Sequence, residues 1–452
     1  MKKKIILIIS CVLTPVLLIW LLVAACNITE EKRSAERFGD FLNEKEYDVL
    51  FLGSDRMKSA VLPMELWDKY GITSYNLGVE ECGMDVSYYL LREALSYGKT
   101  DTVVIDGYAV KSDYSRIRTD RRLHDTLDAF PMSIGKLKAS LKLLGNSELF
   151  FNYPICHSRW DKLTANDFKP YMSPLKGAEP YLGVGEPNAF DIVDTGDNFE
   201  YSKEYLNRII TLCKENNIDV ILTYLPVDSQ NTDGDDLDKV KNVASDNDIT
   251  FVDLSDYEEI REATDYNPET GCFNYSGAFK VTNFFGTYFK DNKSFEDKRE
   301  NEKYAKWNAD HEAYMDYKLN TLLNTDNVYD YMNLIDDENY NLIINFADDY
   351  VLKDSMLREL VRELGGEDYL DKTEKFRLYV YMGEYTETLD IDIELPKNTP
   401  SLRIEVHDNK KHEIIDTVRI FLTFETDSEG NVKIVGSNFV RGEVIADTDN
   451  IS

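Results

Sequence analysis

The sequence predicts an α/β protein with a three-layer α/β/α domain and a mostly parallel sheet. One N-terminal transmembrane helix precedes this domain, and a smaller α+β or β-rich domain follows it. Three observations predict this class. An uncharged apolar run opens the chain. Short apolar runs alternate with amphipathic helical stretches from residue 45 to residue 295, and after residue 335 the pattern changes to mainly strands.

The charge of the chain excludes one class of partner. Its 452 residues include 83 acidic and 51 basic side chains, which gives a formal net charge of −32. Such a surface repels phosphate backbones, so no nucleic acid is expected as a partner. The same charge argues against binding flat on anionic lipid through a basic face. The hydrophobic fraction of 43% is enough for packed cores and excludes a disordered chain.

The first 26 residues predict a membrane anchor. Three lysines precede the uncharged run Ile5–Ala25, which would span about 31 Å as a helix and therefore cross a bilayer core. The lysines place the N-terminus in the cytoplasm and the rest of the chain outside it. Two interpretations stay open: an uncleaved transmembrane helix, or a lipoprotein signal in which small residues precede Cys26. Both predict an ectodomain on the extracytoplasmic side of the cell membrane.

Four nearly continuous apolar runs predict buried parallel strands, and amphipathic stretches predict the helices that cover them. The predicted strands are 47–55, 100–108, 218–226 and 249–256, and the predicted helices are 87–99, 204–217 and a short one near Val240. In such sheets, ligands bind at the carboxyl ends of the strands. We therefore expect functional residues just after Gly53, Asp106, Pro226 and Asp253.

The C-terminal third of the chain has a different pattern. Residues 296–334 are charged and predict a helical connector. Residues 335–440 show strand patterning around one helix at 354–364, which predicts a separate domain. Residues 441–452 form a polar tail. The predicted domains are therefore an anchor, an α/β domain at 45–295, the connector and this second domain.

Several stretches of the chain resemble sequence blocks of the SGNH/GDSL hydrolases. They are FLGSDRMKSAVLPMELWDKYGITSYNLG at 51–78, DTVVIDGYA at 101–109, HSRWDKLTANDF at 157–168 and CFNYSGAFKVTNFFGTYF at 272–289. The likeness is closest to the membrane-anchored branch found in bacterial cell-envelope and polysaccharide settings. The stretch SLRIEVHDNKKHEIIDTVRI at 401–420 resembles the closing strands of the interleukin-like EMT inducer domain, which often follows that branch.

The resemblance implies a triad whose reactive residues are replaced in this chain. In the family, a Ser after the first strand attacks an ester, a His takes its proton, and an Asp orients the His. Asp55 occupies the nucleophile position, Cys272 the base position and Glu269 the position of the orienting acid. Gly78 matches the glycine whose N–H binds the oxyanion, and the loop after Asp106 is the expected region of the oxyanion Asn.

These replacements have chemical consequences. A carboxylate that attacks an ester gives a reactive mixed anhydride, and Asp55 would place negative charge where an oxyanion has to be stabilised. The thiol of Cys272 is a poor substitute for imidazole as a base. Loss of both nucleophile and base predicts loss of hydrolysis. The remaining residues expected to line the cleft are Ser54, Arg56, His157, Arg159 and Asn274.

No cofactor and no metal ion are predicted. The six cysteines are scattered and show no Cys/His spacing, so neither a zinc site nor a disulfide framework is indicated. Asp55 and Glu269 offer the oxygen ligands that divalent cations prefer, but neutralisation of Asp55 by Arg56 or by solvent is the favoured interpretation. Ser54 adjoins the nucleophile position and is expected to point elsewhere. His157 is expected to have a structural or substrate-contacting role.

Three function hypotheses remain. The first is a non-catalytic SGNH-like ectodomain that binds or scaffolds in surface-polysaccharide modification or export, with a polysaccharide or envelope assembly proteins as partners. The second is an active esterase or O-acyltransferase that acts on envelope glycans through a non-standard site. The third is a plain interaction module in which side chains fill the cleft. Asp55 and Cys272 favour the first hypothesis over the second.

Overall fold

The computed structural model describes two compact units. The described residues are 13–18, 21, 37–81, 83–110, 118–151, 162–165, 173–188, 199–226, 234–346, 349–370, 376–380 and 401–441. Unit 1 comprises Met1–Glu179, Asp191–Tyr257 and Thr282–Glu312, and unit 2 comprises Pro180–Phe190, Glu258–Val281 and Ala313–Ser452. These units interleave along the chain, whereas the predicted domains are continuous in sequence. The predicted boundaries stay a prediction.

Unit 1 contains a five-stranded sheet in which every paired strand is parallel, in the order β2-β1-β3-β4-β5. Its strands are β1 (Glu46–Leu52), β2 (Ser74–Asn76), β3 (Lys99–Asp106), β4 (Asp219–Tyr224) and β5 (Thr250–Asp253). All residues of β1 after Glu46 are buried, which is why this strand reads as a continuous apolar run. The predicted α/β class with a mostly parallel sheet is confirmed. Strand β2 has only three residues and was not predicted as a strand.

Helices surround this sheet. They are α1 (Asp55–Ala60), α2 (Pro63–Tyr70), α3 (Met84–Tyr97), α4 (Asp120–Leu127), α5 (Ile134–Leu143), α6 (Glu148–Phe151), α7 (Phe199–Glu215) and α8 (Gly234–Asp246). Helix α3 packs against both α5 and α7. Two longer helices follow, α9 (Tyr275–Asn292) and α10 (Ala305–Asn324). Within unit 1, Phe285 of α9 packs on Phe51 of β1 with ring centroids 5.6 Å apart.

The strand order reverses between β1 and β3, and in sheets of this kind ligands bind at the carboxyl ends of the strands beside such a switch point. Gly53 follows β1 at this end of the sheet. A Cβ at Gly53 would lie 2.9 Å from Met57 Cβ and 3.0 Å from Asp106 Cβ, so the close packing of the turn requires glycine. The sequence places the nucleophile position at this end of the sheet.

Unit 2 contains an antiparallel sheet in the order β10-β9-β8-β6-β7. Its strands are β6 (Tyr340–Phe346), β7 (Phe376–Val380), β8 (Ser401–Asp408), β9 (Ile414–Thr426) and β10 (Val432–Arg441), and two of its helices are α11 (Val328–Ile335) and α12 (Ser355–Glu363). Alternate residues of β8, among them Leu402, Ile404 and Val406, join buried residues of α11 and α12 in one core. The predicted strand-rich C-terminal region with one helix near 354–364 is confirmed.

Within the described residues, no helix has the length and apolarity that a bilayer span requires. Residues 13–18 and 21 are described and helical, and the rest of the Ile5–Ala25 run lies outside the described residues. Cys26 lies outside them as well. The two forms of the predicted anchor therefore stay predictions.

Candidate functional site

The nucleophile position lies at the start of the first helix after β1. Asp55 is the first residue of α1 and is partly exposed, and its Oδ1 accepts a hydrogen bond of 3.2 Å from the Arg56 amide. Ser54, the residue before the helix, is fully buried. Among the described residues, its Oγ has no hydrogen-bond partner. A substrate therefore cannot reach the Ser54 hydroxyl, whereas the Asp55 carboxylate is partly accessible.

Gly78, at the oxyanion position, follows β2 beside this turn. The Gly78 amide donates to Asn76 Oδ1 at 2.9 Å, and the Asn76 amide group donates in turn to the carbonyls of Met57 and Val61. A Cβ at Gly78 would lie 2.4 Å from the Lys58 nitrogen, so only glycine fits. The backbone donor that an oxyanion would need is thus already bound to a side chain of the protein.

Arg56 occupies the carboxyl edge of the sheet. Its side chain leaves α1 and reaches the segment just after β4, where Nη2 donates to the carbonyl of Leu225 at 3.4 Å and to that of Pro226. The guanidinium carbon also lies 4.4 Å from the centroid of the Tyr108 ring. With only 7% of its surface exposed, Arg56 fills space between the ends of β1, β3 and β4.

Asp106, the last residue of β3, is a buried acid whose charge is influenced by the nearby Arg56 guanidinium. Its side chain is fully buried, and Oδ1 accepts from the Tyr108 amide at 3.2 Å. Within the described part of the chain, Oδ2 has no hydrogen-bond partner. Burial raises the pKa of Asp106 to about 6, although the Arg56 guanidinium and the amides of Tyr108 and Leu225 act in the opposite direction. In the sequence, Asp106 marks only the start of a loop. The feature that could have singled it out is a carboxylate at the end of an apolar strand.

The base and orienting-acid positions lie in a tight loop of unit 2. Asn267 organises this loop, because its Oδ1 accepts from the amides of Glu269 and Thr270 at 2.9 and 2.8 Å. Glu269 is exposed. Cys272 forms no disulfide among the described residues and is only 3% exposed. Asp55 and Cys272 belong to different units, and their convergence stays a prediction.

The other predicted cleft residues differ in their placement. Asn274 is fully buried, and its Nδ2 donates to the carbonyls of Thr264 and Gly183 at 2.8 and 3.1 Å. These bonds give Asn274 a structural role in the backbone of unit 2. His157 and Arg159 lie outside the described residues.

A charged cavity of about 360 Å³ lies in unit 1 near Gly78. It is lined by Arg37, Lys58, Glu80, Arg122, Asp125, Thr126 and Glu179. The Lys58 ammonium is nearly inaccessible to solvent and lies 3.0 Å from Glu179 and 3.4 Å from Glu80. Arg122 lies 2.6 Å from Glu80. Because cationic and anionic side chains are equal in number here, the cavity favours a polar ligand without net charge.

Arg37 joins this cavity to the loop after β2. Its guanidinium donates to the carbonyls of Gly78 and Gly177, both at 2.6 Å from Nη2. Sequence reasoning missed the cavity because its residues come from separate segments between residues 37 and 179 and form no local motif. The described residues contain no group of three or more His, Cys, Asp or Glu side chains that could hold a metal ion.

No protein-family model matches the chain, and no curated protein matches it. Among solved structures, the chain is similar to a candidate acylhydrolase from Bacteroides fragilis NCTC 9343, with 13% identity over 57% of this chain and 98% of that chain, at a TM-score of 0.27. It is also similar to a GDSL-like lipase from Bacteroides thetaiotaomicron VPI-5482, with 14% identity over 58% of this chain and 97% of that chain, at a TM-score of 0.27.

Proposed function

We propose that this chain is a membrane-tethered protein of the SGNH/GDSL hydrolase type that has lost hydrolytic chemistry. Its ectodomain, on the extracytoplasmic side, binds or scaffolds a ligand in cell-surface polysaccharide modification or export. The ordered sequence blocks support the family, and the sheet order of unit 1 agrees with it. The observation that carries the loss of chemistry is the burial of Ser54 beside a Gly78 amide that is already bound to Asn76.

A serine esterase of this type needs three things at the end of its sheet. It needs an accessible nucleophile, a base to take the proton, and free backbone donors for the oxyanion. In this chain, the hydroxyl of Ser54 is buried and the amide of Gly78 is bound to Asn76. Asp55 cannot supply the missing hydroxyl. The burial of Ser54 and the bonding of Gly78 to Asn76 support the proposal that this site keeps the glycine turns of the family but has lost its reactive groups.

The charged cavity supports a binding role. A ligand in this cavity would contact side chains that donate and side chains that accept hydrogen bonds, and the positive and negative charges of the lining balance. The net charge of −32 disfavours an anionic ligand. A neutral saccharide has many hydroxyl groups that both donate and accept, and it therefore suits this lining. The weaker resemblance of residues 401–420 to the interleukin-like EMT inducer domain belongs to the same proposal.

We expect the purified full-length chain in detergent to show no serine-type esterase activity. Acetyl-ester substrates should give no turnover above buffer, and a serine-directed fluorophosphonate should not label the protein, because Ser54 is buried and Asp55 is not a hydroxyl. A GDSL lipase assayed in parallel provides the positive control. Turnover that disappears in Ser54→Ala or Cys272→Ala would instead support the esterase or acyltransferase hypothesis.

We expect Arg122→Ala to weaken the binding of neutral oligosaccharides by at least about tenfold, because the change removes a charged hydrogen-bond donor from the cavity wall. Calorimetry with hits from an oligosaccharide array measures the effect. Arg121→Ala is the matched control, since Arg121 is exposed on the same helix and does not line the cavity. Equal binding by the two variants would reject the cavity as the site.

A further inference from the structure

Helix α5 lies in a stretch of unit 1 that departs from the acidic character of the chain. Residues 129–147 contain no Asp or Glu, although the chain has 83 acidic residues. The same stretch contains Lys136, Lys138 and Lys142. Helix α5 is therefore a basic element in a strongly acidic protein.

The exposed face of this helix is apolar as well as basic. Ile134 is 76% exposed, Leu141 52% and Met132, just before the helix, 44%. Lys138 and Lys142 are exposed too, and Leu137 is partly exposed. At 3.6 residues per turn, the apolar side chains form one stripe and the two lysines form a second stripe beside it. We name Met132, Ile134, Leu137, Lys138, Leu141 and Lys142 the α5 patch.

Such a face is uncommon on this molecule. Among the described residues beyond residue 21, three of the six exposed large hydrophobic side chains belong to the α5 patch. Single exposed apolar residues need no explanation, whereas a cluster rimmed by charge marks an interaction surface. The opposite face of the helix, with Ala139 and Ser140, is buried. The patch is therefore the face of α5 that does not pack on the rest of unit 1.

The chain enters unit 1 next to this patch. Phe38, near the start of the described body, packs on Phe130 with ring centroids 6.3 Å apart, and Phe41 packs on it at 6.0 Å. Phe130 precedes Met132 by two positions. The segment from Ala25 to Arg37 spans at most about 40 Å. An anchor that ends at Ala25 would hold the patch within reach of the bilayer surface.

We propose that the α5 patch docks unit 1 on the membrane that holds the anchor. Ile134, Leu141 and Met132 enter the boundary between headgroups and acyl chains, and Lys138 and Lys142 face anionic phospholipid headgroups. This arrangement is the one that amphipathic helices adopt at lipid surfaces. It rests on the membrane tether of the proposed function.

The overall negative charge does not prevent this docking. At physiological ionic strength, exposed charges separated by more than about 8 Å are largely screened from each other. The two lysines of the patch therefore attract a headgroup in contact with it more strongly than the acidic residues on other faces repel that headgroup. The net charge instead keeps those other faces away from the lipid, which leaves one orientation of unit 1 favoured.

The test uses the full-length chain in vesicles of phosphatidylcholine with or without phosphatidylglycerol. A photoreactive phenylalanine derivative replaces Ile134 or Leu141, and mass spectrometry identifies the adduct after irradiation. The control label replaces Lys290, an exposed residue of α9. We expect phospholipid adducts at positions 134 and 141, and at most background at position 290.

A charge reversal tests the lysine stripe. Lys138→Glu with Lys142→Glu should lower the yield of adducts at position 134 by at least about tenfold, because each lysine contributes to attraction by anionic lipid. The reversal Lys410→Glu with Lys411→Glu, at two exposed lysines of unit 2, changes the net charge equally and should leave the yield unchanged. An equal loss in both variants would contradict a local role of the patch.

Vesicle flotation separates the failure of the patch from the failure of the tether. A chain that floats with vesicles but gives no lipid adduct at positions 134 and 141 overturns the patch alone. A chain that does not float overturns the tether and the patch with it. Adducts to a second copy of the chain would identify the patch as a self-association surface and overturn lipid docking.

Discussion

Replacing Arg56 by methionine is expected to lower the free energy of unfolding of unit 1 by about 1.5 to 3 kcal/mol, the usual consequence of removing a charged hydrogen-bond donor from buried acceptors. The change also removes the positive charge that favours ionisation of the buried Asp106 carboxylate. It also removes the donor to the Leu225 and Pro226 carbonyls and the contact with the Tyr108 ring. Methionine keeps much of the volume of the arginine stem, so the charge accounts for most of the effect.

Tryptophan fluorescence in a urea titration measures this effect selectively. Trp67 and Trp307 are buried in unit 1, so the change in their emission reports the unfolding of that unit. Arg121→Met is the control, since Arg121 is exposed and its loss should change stability by no more than about 0.5 kcal/mol. A loss of less than about 1 kcal/mol in Arg56→Met would contradict a stabilising role of the buried Arg56 guanidinium.

The pH dependence of this variant adds an independent check. Asp106 has a raised pKa of about 6, so its ionised form is less favourable in the folded than in the unfolded state. Its contribution therefore lowers stability as pH rises from about 4 through 6. Without Arg56 this penalty grows, and Arg56→Met should regain stability when the pH falls from 8 to 5. Adding Asp106→Asn should restore much of the loss at pH 8 and remove this pH dependence.

Replacing Lys176 by methionine is expected to destabilise unit 1 at least as strongly, by about 3 to 5 kcal/mol. The buried Lys176 ammonium donates to Asp40 Oδ2 at 2.7 Å and to Asp310 Oδ2, and it lies 5.1 Å from the centroid of the Trp307 ring. It thereby joins three segments that are far apart in sequence. Its loss leaves two buried carboxylates without the cation between them.

Lys306→Met provides the matched control for this variant. Lys306 also contacts Asp310 Oδ2, at 2.7 Å, but its side chain is 44% exposed. Solvent screens that pair, so its loss should cost no more than about 1 kcal/mol. Urea titrations followed by tryptophan fluorescence compare the two variants. Equal losses would mean that burial does not decide the strength of these pairs.

The results at Arg56 also decide between function hypotheses. If Arg56→Met unfolds unit 1 more readily while the wild-type chain shows no turnover, the end of the sheet serves stability rather than chemistry. A variant that keeps its stability but loses a measured esterase activity would instead give Arg56 a role in substrate binding. The two outcomes differ in which property changes, so one set of variants separates them.

The sequence by itself determined the class of both sheets. Strands β1, β3 and β4 each contain a short apolar run that is buried, because helices cover both faces of the parallel sheet in unit 1. Strand β9 alternates over much of its length because only one of its faces enters the core of unit 2. The sequence also determined that a carboxylate stands at position 55 and a thiol at position 272, since residue identity at a matched block needs no coordinates.

Only the tertiary structure decided where the charged side chains go. Nothing in the local sequence distinguishes Arg56 and Lys176, which are buried, from Arg121 and Lys138, which are exposed. A buried charge is stable only where packing brings opposite charges and carbonyl groups to it, and these partners come from distant parts of the chain. For the same reason, the engagement of Gly78 by Asn76 and the exposure of the α5 patch follow from packing, which a pattern along one segment does not contain.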